Sequence, residues 1–241
     1  MAIRRIEDRV SKAAISRKVA EDRFLDFMRW VQRRPSGSHV FRGEGSKWSL
    51  KPTVGRIPAY SFEQEILLLE EFKRQAHPYV GQSIQRDDWD WLSLAQHHGL
   101  PTRLLDWTSN PLVAAYFASK FVGKSKQPGR VVSLRTGEIG FVNPAERVKI
   151  NPFSIVEEKF FMPSEIAGRI VNQRGLFSVH PLPNKAWQPR RSRDVFEIPY
   201  EMKYDFQRML FQVGVDHASL MDGLDGVSNT LSWRYQNRML G

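Results

Sequence analysis

The spacing of apolar positions predicts a series of helices first. Over about residues 9–34, Phe24, Phe27, Met28 and Val31 recur at i, i+3, i+4 and i+7, which puts them on one helical face, and Pro35 stops the run. In residues 61–76, Ser61 with Gln64 has the spacing of a capping box, and Phe62, Ile66, Leu69 and Phe72 form an inward stripe. Residues 87–99 predict a third helix, capped by Asp88 or Asp90, with Trp91, Leu94, Ala95 and His98 on one face. Gly99 sits where a left-handed C-cap is needed, and Pro101 prevents resumption. Asn110 followed by Pro111 is an N-cap and first-turn pair for a fourth helix, with Ala114, Phe117, Ala118 and Phe121 facing inward. Near the end, Phe206, Met209, Leu210 and Val213 share a face, and residues 228–240 predict a last helix.

Extended stretches lie between and after these helices. His39-Val40-Phe41 is the first predicted strand, stopped by Gly43 and Gly45; "TRLLDWTS" is extended; "RVVSL", "IGFV", "RVKI" and "VFEIPY" follow. "EIAGRIVNQRGLFS" predicts a helical turn and then a strand, with a tight approach at Gly175 between Gln173 and Phe177. With helices mainly in the N-terminal half and strands late, the expectation is an α+β fold of one domain, its sheet small and largely antiparallel.

Charge adds a direction to this picture. The chain carries a net charge of +10, and residues 1–34 hold ten Lys/Arg against five Asp/Glu. Such a field favours polyanionic partners, nucleic acid or a nucleotide among them. With 41% hydrophobic residues there is material for a core, so disorder is excluded. Cysteine is absent, which excludes disulfides and thiolate metal sites. No apolar run is long enough to span a bilayer and the charged N-terminus has no secretory h-region, so the expectation is a cytoplasmic protein without a membrane partner. Nothing in the sequence sets the oligomeric state.

The polar groups concentrate in "QHHGLPTRLLDWTSNPLVAAYFA", residues 96–118. Each has a chemical and a structural reading. His97, at the last turn of a helix, is a candidate acid–base group or part of a cap. Arg42, followed by Gly43 and Gly45, can hold a phosphate through its planar fork or pair with a carboxylate, Asp106 being the candidate. Thr108 and Ser109 precede a helix N-terminus, a place for an anion or for plain capping. Trp187 with Arg190, Arg191 and Arg193 suits stacking and phosphate contact, or is a solvated basic loop. No His or carboxylate cluster has metal spacing, so no metal is expected, and there is no Walker loop, GxSxG or HExxH.

The stretches "FRGEGSKWSLKPTVGR", "LAQHHGLPTRLLDWTSNPLVAAYFA", "NQRGLFSVHP" and "VGVDHASLMDGLDGVSNTL" resemble the FRG-domain family of bacterial and phage proteins, from about residue 20 to the end. This divides the chain into a basic extension over residues 1–20 and an FRG-type domain over residues 21–241. More distantly, Arg-Gly at a strand end and Thr-Ser before an "A-x-x-FA" helix are similar to the first two motifs of the Arg-Ser-Glu class of ADP-ribosyltransferases. That resemblance implies an ADP-ribosyltransferase-like fold and NAD or another nucleotide as ligand. Arg42 and Gly43 would lie on the phosphates, Asp106, Thr108 and Ser109 would shape the pocket, and His97 or Gln173 would orient a protein or nucleic-acid acceptor. The catalytic glutamate of the class has no match; Gln173 stands in its strand, and Glu44 and Glu165 are the substitutes. A toxin or phage-conflict effector is the implied setting. Two other readings stay open. One is a nucleic-acid-binding or nucleic-acid-cleaving module using Arg42, His97, Arg103 and Asp106, with the basic N-terminal helix on the backbone. The other is a non-enzymatic interaction domain.

Overall fold

The computed structural model describes residues 2–80, 86–163, 171–189, 193–221 and 223–239, with side chains from residue 16 onward. These residues form an α+β fold of helices α1 (Ala2–Gln32), α2 (Phe62–Ala76), α3 (Asp88–His97), α4 (Pro111–Ala118), α5 (Pro144–Lys149), α6 (Lys203–Gln212), α7 (His217–Leu220) and α8 (Gly223–Gln236). The strands are β1 (His39–Glu44), β2 (Leu104–Thr108), β3 (Gly129–Arg135), β4 (Lys159–Phe161), β5 (Gly175–Val179) and β6 (Asp194–Ile198). Helices α6 to α8 follow the last strand, so helices occupy both ends of the chain. The chain divides into two compact units, both discontinuous in sequence. Unit 1 comprises Met1–Lys47, Asn110–Leu134 and Asp194–Gly241; unit 2 comprises Trp48–Ser109 and Arg135–Arg193.

In unit 1 the strand order is β1-β3-β6, with β3 and β6 antiparallel from Gly129 opposite Ile198 to Ser133 opposite Asp194. The core joins Phe27 and Trp30 of α1, Ala114 and Ala115 of α4, Phe206 and Leu210 of α6, and Phe41, Val131, Phe196 and Ile198 of the strands. Strand β1 runs through Gly43 instead of stopping there. The reason is packing: a Cβ at Gly43 would stand 1.9 Å from the Ala114 carbonyl oxygen, and one at Gly129 1.9 Å from that of Ala118. Glycine on two strands lets the alanine-rich α4 lie with its backbone directly against them. Phe121 falls beyond α4 and is exposed, as is Val213 beyond α6; both were expected on inward faces.

In unit 2 the strands lie in the order β4-β5-β2, all antiparallel, with Leu104 opposite Val179 and Thr108 opposite Gly175. One sheet face packs Leu104, Phe161, Phe177 and Val179 against Leu69 of α2 and Trp89, Leu92 and Ala95 of α3. Helix α2 turns most of its predicted stripe inward, with Leu69 in the core, Phe72 packed against it and Ile66 half-buried, but not Phe62. Glu65 and Leu69 are its buried residues, and Phe62 is 41% exposed. Ser61 accepts from the Gln64 amide as expected. Asp87, not Asp88 or Asp90, caps α3 by accepting from the Asp90 amide. "RVKI", expected to be extended, is the end of α5, nucleated by an Asn143–Glu146 capping box with Pro144 in the first turn. "IGFV" contributes a single bridge, Phe141 to Phe160.

Candidate functional site

The corner at residues 96–110 spends its polar groups on itself. Helix α3 ends in a Schellman motif: Gly99 has φ +84°, Leu100 N donates to Ala95 O at 2.9 Å and Gly99 N to Gln96 O at 3.1 Å. His97 closes α3 with its ring edge-on to His98, 4.9 Å away, and His98 is exposed rather than on the apolar face. Gln96 bridges the turn, accepting from Thr102 Oγ1 at 2.5 Å and donating to Asp106 Oδ2 at 3.0 Å. Asp106 is exposed. Thr108 is buried and donates to the Gln173 carbonyl at 2.6 Å, while the Ser109 amide donates to Arg174 O at 3.1 Å. Arg174, not Gly175, takes the left-handed conformation there, with φ +47°. Asn110 Oδ1 accepts from the Leu112 amide and caps α4, so the side chain at that helix start performs ordinary capping.

Arg103 and Trp187 correct the nucleic-acid reading. Arg103 is 0% exposed and donates from Nε and Nη2 to both oxygens of Glu65, at 2.8 and 2.7 Å. Its fork is occupied and out of reach of a phosphate backbone. Trp187 is 9% exposed, packed edge-on against Trp107, Phe160 and His180 at 6.1, 6.4 and 5.1 Å, so its ring is part of a core and not a stacking platform. Arg190, Arg191 and Glu165 lie outside the described residues. Beneath Trp187 runs a buried polar chain that sequence spacing gave no hint of. Trp107 Nε1 donates to Ser178 Oγ at 2.8 Å, and Ser178 Oγ lies 2.8 Å from His180 Nε2.

Arg42 and Gly43 belong to unit 1; His97, Arg103, Asp106, Thr108, Ser109, Gln173 and Trp187 belong to unit 2. Arg42 Nε stands 3.6 Å from Glu44 Oε1, and Arg130 Nη2 donates to Glu44 Oε2 at 2.6 Å. Glu44 is 1% exposed, a carboxylate held between two arginines, which fits a charge partner better than a catalytic acid. The space beside Gly43 that a backbone–ligand approach would need is filled by α4.

A cavity of about 180 Å³ opens within unit 1, among α4, α6, α7 and α8. Tyr116, Phe211 and Trp233 supply aromatic walls, and Lys120, Gln207, His217, Asn229 and Thr230 supply polar groups. Helix α7 starts at Asp216, whose side chain accepts from the Ser219 amide in a capping box, and this fixes His217 at the first helical position. Tyr116 Oη lies 2.9 Å from His217 Nδ1. Burial, and then the Asp216 charge, push the Tyr116 phenol up to about 12, so it stays protonated at neutral pH. Lys120 Nζ sits 5.0 Å from the Tyr116 ring centroid. Tyr116 and His217 are 101 residues apart, so spacing could not join them. The available signal was the stretch "VGVDHAS", an Asp-x-x-Ser cap around a histidine.

Among the described residues no helix is long and apolar enough to cross a membrane, and no group of three His, Cys, Asp or Glu side chains is placed to hold a metal ion. Comparison with curated proteins and with solved structures returns no match. Residues 37–127, which run through β1, α2, α3, β2 and α4, match the family model of the FRG domain.

Proposed function

We propose that this chain binds a nucleotide and that the nucleotide's ring enters the cavity of unit 1. The observation that carries the reading is the cavity's lining: three aromatic side chains, Tyr116, Phe211 and Trp233, around a volume of about 180 Å³. That space suits one heterocycle, whose faces stack on aromatic walls while its polar edge meets side chains. Stacking of a base on an aromatic ring contributes roughly 1–3 kcal/mol. The surplus of positive charge, +10 over the chain, favours the phosphates that such a ring carries with it.

NAD is the first ligand to test, since the distant likeness to ADP-ribosyltransferases implies it, and either of its rings matches the cavity in kind. In the finer reading ADP-ribosyl transfer is the activity and a toxin or phage-conflict effector the setting. Gln173, an amide whose backbone carbonyl is taken by Thr108, offers no base for that step. Calorimetric titration with NAD, AMP and ribose 5-phosphate tests the binding. Binding of the two nucleotides but not of ribose 5-phosphate, weakened about 5- to 150-fold in Trp233→Ala, is the expected result; no heat and no thermal shift with any nucleotide overturns it. Release of nicotinamide from NAD tests the transfer separately.

A further inference from the structure

The hydrogen-bonding groups around the same cavity have a definite polarity, and this inference rests on the ring-binding reading. Asn229 Nδ2 donates to Asp225 O at 2.8 Å, and Gln207 Nε2 donates to Ser119 O at 2.9 Å. Both amides are thereby anchored through their NH₂ ends, and each leaves its carbonyl oxygen for a ligand. Thr230 has the opposite sense. Its Oγ1 accepts from the Ala218 amide at 2.8 Å, which leaves the hydroxyl proton to donate. The lining thus combines carbonyl acceptors with a hydroxyl donor.

We infer that the site selects heterocycles whose edge places an exocyclic amine beside an unprotonated ring nitrogen, the pattern of adenine and cytosine. An N–H donor of the ring meets Asn229 Oδ1 or Gln207 Oε1, and the ring nitrogen accepts from Thr230. An oxo ring such as hypoxanthine, guanine or uracil inverts that edge: its carbonyl faces a carbonyl and its ring N–H faces a donor. Thr230 is buried and Gln207 half-buried, while Asn229 is exposed at the rim, so an edge that leaves Thr230 and Gln207 unpaired loses affinity.

The test is a pair of calorimetric titrations, AMP against IMP, which differ at that edge and share ribose and phosphate. The wild-type protein should bind AMP at least about tenfold more tightly than IMP, one lost hydrogen bond being sufficient for that ratio. Asn229→Leu with Gln207→Leu should bring the two affinities together while AMP still binds, the fold being checked by its melt. Equal affinities in the wild type, or a preference for IMP, overturn the edge inference and leave ring binding standing. If neither binds, both readings fall. The AMP/IMP ratio of the wild type decides the matter even if the double variant does not fold.

Discussion

Arg103 and Glu65 form a bidentate pair sealed inside unit 2, with the guanidinium carbon 4.4 Å from the Phe153 ring centroid. Neither charge can be rehydrated if its partner is lost. Glu65→Ala should therefore cost about 3–5 kcal/mol, read as a lower denaturant midpoint. Replacing both, Glu65→Leu with Arg103→Met, should recover most of that loss, since two apolar side chains need no pairing. A single variant as stable as the wild type would show that the pair contributes little.

Tyr60 donates to Glu65 Oε2 at 2.9 Å, at the edge of this pair. Burial, then that bond and the Glu65 charge, push its phenol up to about 12 from an ordinary value near 10. The folded state holds this proton more tightly than the unfolded one, so the resulting stability is complete below pH 10 and lost as pH rises through 12. Tyr116 acts in the same sense and the same window. Denaturant melts between pH 9 and about 12 should show stability falling across this range, with a shallower fall in Tyr60→Phe and in Tyr116→Phe.

Gly43 and Gly99 are glycines for different reasons, and alanine separates them. At Gly43 a methyl group meets the Ala114 carbonyl at 1.9 Å, and two packed backbones must part. The expected loss in Gly43→Ala is about 3 kcal/mol or more. Gly99 faces open space but has φ +84°. There alanine should cost only about 1–2 kcal/mol, from the left-handed conformation alone. Thermal melts of the two variants side by side check the order.

Ser178 is the middle of the buried chain from Trp107 to His180. Ser178→Ala leaves the indole N–H without its acceptor in a site no water enters easily, for an expected cost of about 1–3 kcal/mol. Ser178→Thr keeps the hydroxyl and should cost less unless the added methyl is overpacked. Near-ultraviolet circular dichroism, dominated by Trp107 and Trp187 at that spot, should change in the alanine variant.

Local signals carried much of this fold. The Gly99 and Pro101 stop, the Asn110-Pro111 start and the extended runs of β2, β3, β5 and β6 are all written within a few residues. Helix α5 is equally local, but its Arg-Val-Lys-Ile run reads as a strand, and only the Asn143-Pro144-Glu146 cap reveals the helix. Strand β4 is three residues long and has no period to detect. The partner of Arg103 lies 38 residues away, a carboxylate set within the inward face of α2 beside Leu69, and no spacing rule foresees a buried charge there. The cavity was hidden for a similar reason: it draws its walls from α4 and from the last three helices, and no spacing rule relates them.

The FRG match, residues 37–127, cuts across both hydrophobic cores. In unit 1 it contributes Phe41 and the alanines of α4, but Phe27, Trp30, Phe196, Phe206 and Leu210 come from outside it. In unit 2 it contributes Leu69, Trp89, Leu92 and Leu104, while Phe161, Phe177 and Val179 follow it. A peptide cut to the matched boundaries would expose half of each interior to water and should behave as an aggregation-prone fragment. The matched segment is therefore shorter than the unit that can fold: any fusion that transplants it must carry the flanking helices and the late strands with it.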